Sequence, residues 1–270
     1  MPEITKIKAA VKTKHRYHIY TKQGEKEVYT FSVSEDVLIQ EALAKGKELT
    51  AEEIERLKET DEMDKAYQRA LNFLSFRMRS EKELREYLRG QEVPEEEQEW
   101  MVEKLYELDF LDDERFAASF VRTRRDQSKK GPGVIRQELK QKGIDGETAE
   151  KALEQYSEEE EIDLALALVE KKQKSYQKDA AKIRKQKLMQ FLMQRGFSSS
   201  AASAAMEAAD LESSDEAELE AAQAHAEKLE RRHSSKDERT RKQKVKQGMY
   251  QKGFAKETIE KVLENLEENE

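Results

Sequence analysis

The stretch IRQELKQKGI at residues 135–144 decides the fold, because its pattern of apolar residues and glycine recurs along the chain. It returns as LMQFLMQRGF at residues 188–197, as VKQGMYQKGF at residues 245–254 and, more loosely, as LREYLRGQEV at residues 84–93. Counted at the second apolar position, successive copies lie 51, 53 and 57 residues apart. A repeat of this length predicts an array of similar helical units rather than one globular enzyme domain.

Each copy predicts the second of three helices in a repeat. Its two apolar residues, four positions apart, share one helix face, and Gly143, Gly196 and Gly253 stand where a helix ends in the left-handed conformation. Glu92 takes that place in the first copy, so this helix is expected to end differently. We therefore expect a mainly α fold, an elongated solenoid of tandem three-helix repeats. The four repeats are predicted at residues 63–111, 112–157, 158–211 and 212–270.

The N-terminal region, residues 1–62, has a different pattern. Its first half alternates apolar and polar residues, with many β-branched and aromatic side chains, and Gly24 lies between two such runs. This pattern predicts a small antiparallel sheet of two or three strands. Two short helices are predicted after it, at residues 35–45 and, following the capping residue Thr50, at residues 51–60.

The composition bounds the class of protein. Of the 270 residues, 40% are charged and only 36% are hydrophobic, which is typical of long, solvated helices with a thin core. There is no cysteine, so disulfides and thiol catalysis are excluded and a reducing compartment is indicated. No run approaches the ~18 apolar residues of a membrane span, and no signal peptide is recognisable. We expect a cytoplasmic monomer without membrane contact.

The net charge of −8 is distributed in alternating blocks. Residues 122–142, 171–195 and 228–252 carry net charges of +6, +8 and +7, whereas residues 145–163 carry −8. The blocks alternate with the same period as the apolar pattern. This predicts a basic and an acidic stripe along the array, although solvated helix faces without a further role remain the alternative.

The motifs of catalysis are missing from the sequence. It has no glycine-rich phosphate loop, no HExxH or GxSxG motif and no metal-spaced histidines, so we expect no enzyme, cofactor or metal. Basic segments between the first and second helices remain as binding candidates for single- and double-stranded DNA or an acidic protein surface. Few aromatic residues accompany them, so base stacking there is not indicated. The candidate contact residues are Arg122, Arg124, Arg125, Lys129, Lys130, Lys182, Arg184, Lys185, Arg239, Arg241 and Lys242.

Two stretches carry a family resemblance. ALNFLSFRMRSEKELREYL at residues 70–88 and LYELDFLDDERFAASFVRTR at residues 105–124 resemble the RecX family of bacterial RecA regulators, and the run from Gly131 to Ile144 also matches it. The resemblance is closest in the first two repeats. Its most specific residues, expected to be structural, are Phe110, Leu111, Asp112, Asp113, Arg115 and Phe116.

The resemblance implies a function and leaves two alternatives open. It implies a protein that binds the RecA nucleoprotein filament and restrains its ATPase, strand-exchange and co-protease activities in recombination, DNA repair and the SOS response. The charge pattern by itself equally fits a general DNA-binding protein. It also fits a cytoplasmic scaffold solenoid whose charges only keep it in solution.

Overall fold

The computed structural model describes residues 1–11, 15–177, 179–209, 211 and 215–268. Within these ranges the chain is mainly helical, with thirteen α-helices and a small N-terminal sheet, as predicted. The strands are β1 (Ile4–Ala9), β2 (Arg16–Gln23) and β3 (Lys26–Ser34). The helices are α1 (Glu35–Gln40), α2 (Ala51–Ser75), α3 (Glu81–Gly90), α4 (Glu95–Glu107), α5 (Asp113–Asp126), α6 (Pro132–Gln141), α7 (Gly146–Leu153), α8 (Glu158–Gln173), α9 (Ala181–Gln194), α10 (Ser199–Ala208), α11 (Asp215–Arg232), α12 (Glu238–Gln251) and α13 (Lys256–Glu268).

The helices form tandem triplets. We name α2–α4, α5–α7, α8–α10 and α11–α13 the first to fourth repeats. The chain divides into two compact parts, Met1–Phe116 and Ala117–Glu270. The predicted boundary between residues 211 and 212 adjoins residues 212–214, which lie outside the described ranges. None of the described helices is long and apolar enough to cross a membrane.

The N-terminal sheet is an antiparallel meander in the order β1-β2-β3. Gly24 forms the turn between β2 and β3 with a φ of 64°, a conformation that glycine adopts without a Cβ penalty. One face of the sheet is buried: Ile4, Ile19 and Phe31 pack with Leu57 of α2 in a common apolar core. The predicted small sheet is confirmed, and α2 supplies the cover that a three-stranded sheet requires.

The two short helices expected after the sheet are not both present. The first ends at Gln40 rather than at residue 45, and the second is not short, since α2 runs unbroken for 25 residues. No glycine or proline interrupts α2. Asp61 in its middle is buried and accepts two hydrogen bonds from Arg16 Nη2, at 2.8 and 2.7 Å. The boundary predicted between residues 62 and 63 therefore falls inside α2.

The second helix of every repeat ends in the same turn. Gly143, Gly196 and Gly253 have φ values of 86°, 87° and 86°, as the sequence predicts. The expectation that the first repeat ends differently is wrong, because Glu92 adopts the same conformation with a φ of 60°. The amide of Val93 donates to the carbonyl of Leu88, like its equivalents in the other repeats. Burial of Val93 holds Glu92 in a conformation that costs a side-chain-bearing residue roughly 1–2 kcal/mol.

Within the C-terminal part, this turn is also the joint between the second and third repeats. The amides of Gly131 and Gly133 donate to the carbonyls of Arg195 and Gly196, at 2.8 and 2.9 Å. The Arg195 side chain returns the contact by donating to the carbonyls of Ser128 and Lys129, at 2.6 and 3.1 Å. The backbone of Gly196 lies so close to Val134 that a Cβ there would overlap the Val134 amide nitrogen. Glycine is therefore required both for the turn and for the joint.

The joint between the third and fourth repeats uses a buried charge as well. A Cβ at Gly253 would lie 2.5 Å from Ile183 Cγ1, so this glycine is again in close contact with the preceding repeat. Beside it, the carboxylate of Asp179 lies 2.6 Å from both Lys187 Nζ and Lys252 Nζ. Burial alone would raise the pKa of Asp179, but the hydrogen bonds from the two lysines outweigh it and hold the pKa below its ordinary value.

We expect Gly196→Ala to destabilise the protein by at least about 1–2 kcal/mol, from the left-handed backbone alone, with the overlap at Val134 adding to this. Urea unfolding of purified protein measures the change. Gly90→Ala is the matched control, because Gly90 ends α3 with open space around its Cα and alanine favours a helix. It should be neutral or stabilising by up to about 1 kcal/mol. An equal loss of unfolding free energy in both variants would contradict the role of Gly196 in the contact between the second and third repeats.

We expect Asp179→Asn to cost about 1–3 kcal/mol at pH 7, because a charged hydrogen-bonded acceptor of two lysines is lost. The folded pKa of Asp179 is depressed, so its contribution is present above its unfolded pKa and disappears as pH falls through the folded value. Urea unfolding from pH 7 down to pH 3 should therefore show the two proteins converging. Asp163→Asn, at an exposed position of α8, is the control and should change little. A difference that stays constant with pH would refute the role of Asp179.

Candidate functional site

The predicted basic residues lie where the first helix of a repeat leads into the second. Lys182 and Lys185 are the second and fifth residues of α9, and Arg239 and Lys242 hold the same positions in α12. Cations in the first turns of a helix are unfavourable beside its positive end. Their recurrence at equivalent positions therefore indicates a role other than local helix stability.

In the second repeat, by contrast, the arginines of α5 form internal ion pairs. Arg125 Nη1 lies 2.9 Å from both carboxylate oxygens of Glu160, and its Nε lies 2.7 Å from Asp126 Oδ1. The hydrogen bond with Asp126 and its charge, followed by the charge of Glu160, raise the pKa of Arg125 above its ordinary value. The side chain is only 19% exposed. Arg125 therefore fastens α5 to the start of α8, and Arg122 adds a hydrogen bond to Gln155.

Other predicted contact residues also form ion pairs or hydrogen bonds with groups of the same chain. Arg124 Nε lies 2.8 Å from Glu138 Oε2 while its guanidinium covers the Phe120 ring, and Lys130 binds the other oxygen of Glu138. Arg184 donates to the carbonyl of Leu211, at 3.2 Å. In the fourth repeat, Arg241 pairs with Glu230 at 3.4 Å. These side chains join helices, and their charges are partly neutralised by the acids they contact. The predicted contact residues with exposed side chains are Arg122, Lys129, Lys182, Lys185, Arg239 and Lys242.

Lys185 differs from its counterparts in the first two repeats. There the fifth residue of the second helix, Arg85 or Arg136, pairs with the fifth residue of the third helix, Glu99 or Glu150. Each of these ion pairs includes a hydrogen bond of 2.9 Å. In α10 of the third repeat the fifth residue is a serine, so the carboxylate that would pair with Lys185 is missing.

Lys185 instead borders a groove between α9 and α10. The groove has a volume of about 880 Å³, and Lys185, Met189, Met193, Ser203 and Met206 are among its lining residues. Methionine side chains adapt to different apolar partners, and they are frequent at promiscuous binding surfaces. Reasoning from the charge blocks missed this groove, because the informative signal is a missing acid on the third helix rather than an added base on the second.

The family-signature residues lie around the start of α5. Asp112 Oδ1 accepts a hydrogen bond from the amide of Arg115, and Asp113 Oδ1 accepts one from the amide of Glu81 at the start of α3, both at 2.8 Å. The two carboxylates thus accept hydrogen bonds from the amides at the starts of α5 and α3. Leu111 is buried, as is Phe116, whereas Phe110 is 56% exposed. Among the described residues, no group of three or more His, Asp or Glu side chains is placed to hold a metal ion.

Comparison with known proteins identifies the repeats. The model of the RecX first three-helix domain matches residues 66–105, and that of the second domain matches residues 112–153. The third-domain model matches twice, at residues 158–206 and 216–263.

Full-length relatives and a solved structure agree with these matches. The regulatory protein RecX of Oceanobacillus iheyensis is 39% identical over 272 residues, which cover 100% of both chains. That of Bacillus cytotoxicus is 37% identical over 264 residues, which cover 98% of both chains. A crystal structure of regulatory protein RecX superposes with a TM-score of 0.65 at 38% identity, covering 76% of this chain and 99% of that one.

Proposed function

This chain belongs to the RecX family of regulatory proteins, and from that premise we propose that it regulates RecA. We propose that it binds the RecA nucleoprotein filament and restrains its ATPase, strand-exchange and co-protease activities in recombination, DNA repair and the SOS response. The observation that carries this function is the match of family domains to all four repeats, together with relatives named as regulatory proteins that align over the whole chain.

The repeats themselves support a filament as the partner. The third and fourth repeats present an exposed cation at the same helix position, Lys182 and Arg239, so equivalent contacts can be made more than once. A filament is a partner that repeats itself, and several weak contacts to one assembly add up to a much higher avidity than any single contact.

The groove beside Lys185 favours a protein surface over bare DNA as the main contact. It combines the exposed ammonium group of Lys185 with three methionine side chains, and Glu207 of α10 also lines it. An acidic and apolar protein surface would use both features, whereas a phosphate backbone would use only the charge. We propose that this groove and the exposed cations beside it, Lys182 and Lys185, contact the RecA protein.

Direct binding to DNA is the second candidate function. It is favoured by the exposed side chains of Lys129, Lys182 and Arg239, which are open to phosphate contacts. In that case affinity for bare DNA would fall steeply as salt is raised from 50 to 200 mM, because counterions are released on binding. Inhibition of RecA would then weaken in parallel with DNA affinity, so the two salt dependences separate the candidates.

Charge reversal is informative only where the cation is not part of the fold. Reversing the charge of Arg125 would place one acid against another, Glu160, and break the contact between α5 and α8. Glutamates at positions 182 and 185, by contrast, would lie near the positive end of α9, where acids are favourable. A loss of function in this double variant therefore cannot be ascribed to loss of the helix.

We expect the wild-type protein to inhibit DNA-dependent ATP hydrolysis by RecA. The double variant Lys182→Glu, Lys185→Glu should need about tenfold more protein for half-inhibition, equivalent to ~1.4 kcal/mol of lost contact. The control is Lys256→Glu, Lys261→Glu, which makes the same charge change at exposed positions of α13. It should inhibit like the wild type. Equal weakening in both doubles would show an effect of net charge alone, and no effect of saturating wild-type protein would exclude the proposed function.

A further inference from the structure

The outer face of the N-terminal sheet, the face opposite its apolar core, carries an aromatic and basic patch. We define the sheet patch as Lys6, Lys8, His18, Tyr20 and Tyr29. The strand register places Lys8 opposite His18, and it places Tyr20 between Lys6 on β1 and Tyr29 on β3. Residues from all three strands therefore form one continuous surface.

The rings of His18 and Tyr20 both contact the ring of Tyr29, which is exposed, whereas His18 and Tyr20 are half-buried. The Tyr29 centroid lies 5.8 Å from that of His18 and 5.9 Å from that of Tyr20, and both pairs are nearly perpendicular. The Tyr29 hydroxyl is 3.0 Å from Ser32 Oγ, and Ser32 Oγ is 2.6 Å from His18 Nδ1. These contacts fix the ring of Tyr29 although the residue is 53% exposed. An ordered, exposed ring is a platform on which a planar ligand can stack with little loss of entropy.

Cations surround this platform. Lys6 and Lys8 are exposed, and Lys6 Nζ lies 5.5 Å from the Tyr20 ring centroid. One acid is close, since Glu27 lies 3.6 Å from Lys6 Nζ. Glu27 offsets the charge of Lys6, so the net positive charge of the patch is supplied by Lys8.

A cleft adjoins the patch along β3. It has a volume of about 500 Å³, and it is lined by Tyr29, Ser32 and Arg16 on the sheet and by Lys58 and Lys65 on α2. The acids of α2 balance much of this charge, because Asp61 pairs with Arg16 and with Lys65. The cleft nevertheless extends the surface beyond the three rings, so a ligand longer than one ring can follow it.

We propose that the sheet patch is a binding site for single-stranded nucleic acid. Bases stack on Tyr29 and Tyr20, and phosphates contact Lys6 and Lys8. Aromatic rings set between lysines on an open sheet are the arrangement that sequence-tolerant single-strand binding uses. A duplex offers no free base faces to the rings, so it is bound less well. This site is independent of the proposed contact with RecA, because it lies on the sheet and not on the cations of the third repeat.

The first test measures binding of the full chain to a fluorescent oligothymidylate by anisotropy. Tyr29→Ala should weaken binding about 5- to 150-fold, the range that corresponds to one base stacked on one ring. Tyr29→Phe keeps the ring and its contacts with His18 and Tyr20 but loses the hydrogen bond to Ser32, so it should weaken binding much less than Tyr29→Ala. An oligouridylate should respond in the same way, whereas affinity for a duplex of equal length should not change in Tyr29→Ala. Equal affinity of wild type and Tyr29→Ala for the single strand would overturn the site.

A second measurement covers the case in which other surfaces of the chain also bind DNA. Oligothymidylate carrying 5-iodouracil should photo-crosslink to Tyr29 or Tyr20 on peptide mapping, and crosslinks confined to the helical repeats would overturn the proposal. Replacing Lys6 and Lys8 by Gln should reduce the salt slope of single-strand binding by about 1.4. Inhibition of RecA ATPase by Tyr29→Ala is measured separately. Failure of this site would appear in single-strand binding, whereas failure of the proposed function would appear in the ATPase assay.

Discussion

The left-handed turn at the end of each second helix is the constraint on which the repeat architecture depends. It reverses the chain and buries the next apolar residue, and in the C-terminal part it also forms the surface against which the preceding repeat packs. At Gly196 the two demands coincide, since the φ of 87° and the contact with Val134 each exclude a side chain. The repeated glycine thus reports a contact between repeats as well as the end of a helix.

Local signals in the sequence were sufficient for the elements of the fold but not for every boundary. The apolar spacing and the three glycines predicted the helical repeats, and strand alternation predicted the sheet. The turn at Glu92 escapes a sequence rule that looks for glycine, because burial of Val93 holds a glutamate in the same conformation. The full length of α2 is not predicted, although no glycine or proline interrupts it.

The candidate surfaces were harder to predict because charge in a sequence does not reveal its partner. The basic block of the second repeat is largely occupied by Glu138 and Glu160, two acids of the same chain. The third repeat has Ser203 at the helix position where the other three repeats have a glutamate, so Lys185 lacks the acid that pairs with Arg85 and Arg136 in the first two repeats. The sheet patch could not be predicted from alternation alone, since alternation defines two faces but does not say which one is covered.

The unbroken helix α2 limits how the N-terminal sheet could be gained or lost in evolution. Its first half belongs to the core under the sheet, through Leu57, and its second half belongs to the core of the first repeat, through Ala70. Loss of the sheet would leave Leu57 uncovered and Asp61 without its arginine. The N-terminal element is therefore not a detachable module. An ancestor or descendant without it would need a new beginning for this helix.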